Sequence, residues 1–66
     1  MELIEEFDTT QCHITVHDTG WCVDYYHIYV LKSYHKKSGK ILTKFGTKDQ
    51  IDGMIRTYKG ERKFVL

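Results

Sequence analysis

Ile41-Leu42-Thr43-Lys44-Phe45-Gly46-Thr47-Lys48-Asp49-Gln50-Ile51 is the stretch that decides the fold, because the hydrophobic period changes inside it. Residues 41–45 read as a short strand rich in β-branched and aromatic residues, and Gly46 closes it. Thr47-Lys48-Asp49-Gln50 then matches a capping box, in which a threonine and a glutamine three residues on serve each other's unpaired backbone N–H groups. Ile51, Met54, Ile55 and Tyr58 follow at i, i+3, i+4 and i+7, a single apolar stripe on a helix. Asp49 and Asp52 suit its first turn, and Lys59-Gly60 suits its end. Gly53 weakens the interior by up to about 1 kcal/mol relative to alanine, which marks either close approach to the sheet or tolerance.

Upstream, Lys36-Lys37-Ser38-Gly39-Lys40 is a polar cluster with a Ser-Gly turn signal, so residues 41–45 return along a preceding strand. That strand is read as residues 21–34, which are dense in aromatic and β-branched side chains. Asp18-Thr19-Gly20 before it reads as another turn, with Gly20 free to adopt positive φ and Asp18 able to bond its own backbone. Residues 12–17 alternate Cys12, Ile14 and Val16 against His13, Thr15 and His17, the period-two mark of a half-buried strand. The expected fold is α+β, a three-stranded antiparallel meander followed by one C-terminal helix packed on one sheet face. The first seven residues are expected as an edge strand or short helix, and Phe64-Val65-Leu66 as an edge strand or a partner contact.

The chain has 66 residues, 41% hydrophobic and 14% aromatic, with a net charge of +1. This is the composition of one small folded domain, residues 1–66, with a small core. Residues 1–31 hold six acids and no Lys or Arg, whereas residues 32–66 hold all ten Lys and Arg against three acids. Such segregation marks a surface for an acidic partner or pairs off within the fold, the latter being the expectation. Acids at positions 2, 5 and 6 are unlike a secretory signal, and no apolar run approaches the ~20 residues that span a bilayer, so a cytoplasmic protein without a membrane partner is expected.

Cys12, His13, His17, Cys22, His27 and His35 are possible metal ligands by residue type. Their spacing matches no zinc motif, and on a strand Cys12 and His13 point to opposite faces, so no metal and no cofactor is expected. A hairpin turning near Thr19 would set Cys22 opposite Val16 or His17, far from Cys12, so both cysteines are expected as thiols. No nucleophile–base pair or phosphate-binding glycine loop stands out, and a non-enzymatic protein is expected.

The central strand offers two apolar faces to a single helix. Either Met1–Phe7 and Phe64–Leu66 wrap over the second face, or it stays uncovered as an interaction patch, for which Trp21, Tyr25 and Tyr29, at alternate positions of one strand, are the expected anchors for a larger protein target. The expected role is that of a small regulator or inhibitor, of the kind phages and mobile elements direct against a host enzyme or defence system. The alternative is a nucleic-acid-binding module in which Lys36, Lys37, Lys40 and Lys44 contact phosphate and Tyr34 and His35 add stacking. Homodimerisation through the apolar face is compatible with either. Trp21 through Ser38-Gly39-Lys40 to Phe45-Gly46-Thr47-Lys48-Asp49 locally resembles the strand-turn-strand-helix pattern of arm-binding N-terminal domains in tyrosine recombinases. Phe45-Gly46 stands in the reverse of that family's order, and Gln50-Ile51-Asp52 replaces its Glu-Ala pair, so no functional residue is carried over.

Overall fold

A computed structural model describes residues 1–60. Four antiparallel strands, β1 (Glu2–Asp8), β2 (Cys12–Val23), β3 (Tyr26–His35) and β4 (Ile41–Gly46), form one sheet in the order β1-β2-β3-β4, and one helix, α1 (Lys48–Lys59), packs on it. The α+β class and the meander are as expected, with a fourth strand at the N-terminus. Glu2 to Asp8 pair with Asp18 to His13, so the first seven residues contribute an edge strand rather than a helix. The segment 61–66, expected on an edge, lies outside the described residues.

The helix forms for the reasons legible in its sequence. The Thr47 N–H donates to Gln50 Oε1 at 2.9 Å, and the Ile51 N–H donates to the Thr47 carbonyl at 2.9 Å. The apolar stripe faces the sheet, burying Ile51 and Ile55 against Ile14 and Val16 of β2 and Leu31 of β3. Phe7, Cys12, Tyr29, Met54 and Tyr58 pack around this core. Burying such side chains contributes about 1.5–3 kcal/mol each. A domain of this size has only roughly 3–10 kcal/mol of net stability, so these few contacts decide whether it folds.

The β2–β3 hairpin departs from the sequence reading. Asp18-Thr19-Gly20 does not reverse the chain; it is a bulge within β2. Asp18 pairs with Tyr29 and Cys22 with His27, so Thr19, Gly20 and Trp21 stand against Ile28 alone. Gly20 supplies φ +82°, its N–H donates to Asp18 Oδ1 at 2.9 Å, and the Thr19 hydroxyl donates to the Ile28 carbonyl at 2.7 Å. Those bonds satisfy groups that the broken ladder leaves unpaired, which lets β2 continue to Val23. The turn itself is Asp24-Tyr25, with φ +50° and +71°, joining the pair Val23 and Tyr26. Positive φ at both central residues is the type I′ geometry that matches strand twist in a two-residue hairpin.

Candidate functional site: an aromatic sheet face and a basic edge

Alternation along the strands sorts side chains between two faces. Leu31 and Ser33 turn toward α1 and are buried. Val30, Lys32 and Tyr34 turn the other way, and their partners Phe45, Thr43 and Ile41 on β4 share that face. No second layer covers it among the described residues. Trp21, carried over from the β2 bulge, stacks on Phe45 with ring centroids 6.3 Å apart and planes 18° apart. Val30, only 1% exposed, lies in a hollow of about 450 Å³ lined by Met1, Thr19, Trp21, Lys32, Thr43 and Phe45. Trp21 and Phe45 themselves remain 63% and 55% exposed, and Ile41 and Tyr34 extend the apolar surface along the sheet.

The three expected anchors do not share this surface. Trp21 is on it. Tyr25 is fully exposed at the hairpin tip, where its φ of +71° is unusual for a bulky residue. Tyr29 lies on the helix side, half-buried against the core. Reading residues 21–34 as one strand put odd positions on one face; the reversal at Asp24-Tyr25 places Trp21 and Tyr29 on opposite faces. Phe45 and Ile41 are the members that the sequence reading missed. Their alternation with Leu42 and Lys44 was visible, but nothing in the sequence said which set the helix would cover.

The basic cluster is likewise divided. Tyr34 is on the open face, whereas Lys44 is on the helix side, beside Met54, Thr57 and Tyr58. His35 Nδ1 accepts a hydrogen bond from the Ser38 N–H at 3.2 Å, which holds the β3–β4 loop. Lys36 is engaged with Asp8 at 3.1 Å and donates to the Thr9 carbonyl at 3.3 Å. Lys37 and Lys40 form no ion pair among the described residues.

The acids of β1 largely pair within the fold. Glu5 meets Lys59 at 2.8 Å, and Lys59 Nζ also lies 4.8 Å from the Phe7 ring centroid. His13 bridges two carboxylates, Asp8 at 2.9 Å and Glu6 at 2.7 Å. The hydrogen bond to Asp8, then that to Glu6, raises the His13 pKa above its ordinary value. Bonds from His13 and then Lys36 lower the Asp8 pKa. Lys32 on β3 and Lys40 and Lys44 around β4 are among the charges without an ion-pair partner among the described residues, and they lie toward the β4 edge.

Cys12 and Cys22 are free thiols on β2; their partners on β3, His35 and His27, are eight residues apart, which sets the two cysteines roughly 26 Å apart along the sheet. Their separation follows from a shared strand, not from the hairpin at Thr19 that the sequence suggested. No three or more His, Cys, Asp or Glu side chains among the described residues converge to hold a metal. No described helix is long and apolar enough to cross a membrane. Comparison of the chain with protein-family models, with curated proteins and with solved structures finds no match.

Proposed function

We propose that the protein is a small, non-enzymatic, cytoplasmic binding protein that regulates or inhibits a larger protein by engaging it through the aromatic sheet face. The Trp21–Phe45 stack, more than half exposed on the side of the sheet away from α1, carries this reading. Tryptophan is enriched at binding hot spots, and contiguous exposed apolar surface marks interaction sites. Covering the exposed part of Trp21 is worth about 3–4 kcal/mol gross and that of Phe45 about 2–3 kcal/mol, before the cost of association. Tyr25 supports the same reading from the hairpin tip, because a strained, fully exposed tyrosine gains no intramolecular contact in return for its backbone cost. Two thiols on one strand suit a reducing compartment. An inhibitor of a host enzyme or defence factor, of the kind phages and mobile elements carry, needs no more than such a surface.

Nucleic-acid binding is the weaker reading, since Lys36 is tied to Asp8 and Lys44 faces away from Tyr34. Capture from cell lysate with the tagged protein, with and without nuclease and at low and high salt, separates the two. We expect a protein retained at high salt after nuclease and lost with Trp21→Ala. Retention that vanishes with nuclease or salt, or that ignores Trp21→Ala, overturns the proposal.

A further inference from the structure

We propose that the edge of β4, unpaired among the described residues, receives an extended acidic segment of the partner protein as a fifth strand, an inference that rests on the protein-binding reading and adds to it a second point of attachment. The sheet has two edges, and they are unlike. β1 carries Glu2, Glu5, Glu6 and Asp8 and a register break between Leu3 and Glu5, features that blunt an edge against further pairing. β4 pairs with β3 without a break from Ile41 to Gly46, contains no acid and no proline, and exposes every residue except Gly46.

The direction of its backbone follows from one bond. The His35 N–H donates to the Lys40 carbonyl at 2.8 Å, which makes residues 35 and 40 a hydrogen-bonded pair. Such pairs alternate in an antiparallel ladder, so Leu42, Lys44 and Gly46 bond to β3. Ile41, Thr43 and Phe45 therefore turn their N–H and C=O groups outward, and no described backbone group pairs with them. Three residues with outward donors and acceptors, on a strand with no bulge, form a template for strand addition.

Side chains beside the template select the occupant. Ile41 and Phe45 flank it on the open face, where Lys32 stands directly across from Thr43. Lys44 flanks it on the helix side, and Lys40 precedes it. Lys32, Lys40 and Lys44 lack ion-pair partners among the described residues, and Lys48 just beyond is already 3.5 Å from Asp52. An incoming strand that alternates apolar residues with Asp or Glu answers both features. A second copy joined β4 to β4 would instead crowd the lysines of both chains together, which like-charge repulsion opposes.

A fluorescein-labelled peptide of alternating valine and glutamate tests this with the full chain, alongside a valine–lysine peptide and a valine–glutamate peptide N-methylated at alternate amides. The acidic peptide is expected to bind at least about tenfold tighter than either control and to slow amide exchange at Ile41, Thr43 and Phe45. Thr43→Pro removes an outward N–H only, so the β3 ladder survives while binding of the acidic peptide is lost. Lys32→Glu with Lys44→Glu is expected to move the preference to the valine–lysine peptide. Equal binding of the N-methylated peptide, or undiminished binding by folded Thr43→Pro, overturns strand addition. So does protection of the three amides in the dilute free protein, which would mean that residues 61–66 or a second copy already occupy the edge. Trp21→Ala is expected to keep peptide binding, so loss of lysate capture in that variant and loss of peptide binding in Thr43→Pro report on the two proposals separately.

Discussion

Trp21 of β2 and Phe45 of β4 stack in near-parallel planes, 18° apart, across the one strand, β3, that lies between them in the sheet. Trp21 reaches Phe45 because the β2 bulge inserts Thr19 and Gly20 ahead of it and sets the indole beside the Val30–Phe45 pair. Stacked aromatic pairs are worth about 0.5–1.5 kcal/mol beyond the area they bury. A double-mutant cycle of Trp21→Ala and Phe45→Ala, read by chemical denaturation, is expected to return a coupling in that range. Because Trp21 is the one tryptophan, Phe45→Ala is also expected to shift its emission to the red.

Tyr25 occupies the position that a type I′ turn normally gives to glycine. Tyr25→Gly creates an Asp-Gly turn and relieves a left-handed backbone strain of about 1 kcal/mol. Thermal unfolding is expected to rise by about 4–8 °C, while capture of the partner weakens. A variant no more stable than the parent would show that the turn is not strained.

Two glycine-to-alanine substitutions are expected to act with opposite signs. A Cβ at Gly46 would stand 2.8 Å from Gln50 Oε1 and 3.1 Å from Gln50 Cβ, displacing the side chain that caps α1. Gly46→Ala is expected to cost about 0.5–2 kcal/mol, the scale of a lost cap. A Cβ at Gly53 meets only the tip of Arg56 at 3.9 Å, so Gly53→Ala is expected to stabilise by about 0.5–1 kcal/mol. Denaturant midpoints for the two variants decide both signs.

The His13 cluster makes stability weakly dependent on pH. A raised histidine pKa gives a contribution fully present below the unfolded value of ~6.5 and lost as pH climbs through the folded value. A lowered Asp8 pKa gives one present above its ordinary 3.8 and lost as pH falls through the folded value. Both act together between those limits. An NMR titration is expected to place His13 above its ordinary pKa and to bring it down in Asp8→Asn; an unchanged value in that variant would contradict the assignment of Asp8 as the main cause.

Much of this fold is written locally in the chain. The period change between Phe45 and Ile51, the Thr47–Gln50 pair and the Ile51, Met54, Ile55 and Tyr58 stripe determine a strand followed by an amphipathic helix. Cys12 to His17 determine a half-buried strand by alternation alone. The β2–β3 reversal was decided by tertiary structure, because Asp18-Thr19-Gly20 carries the same local chemistry for a bulge as for a turn, and only pairing of Cys22 and Val23 with His27 and Tyr26 of β3 selects the bulge. The membership of the candidate site was decided in the same way. Period two sorts the strands into two sets, but which set stays exposed depends on where α1 packs, and that is settled by how Ile51 and Ile55 meet Ile14, Val16 and Leu31, contacts between residues far apart in the chain.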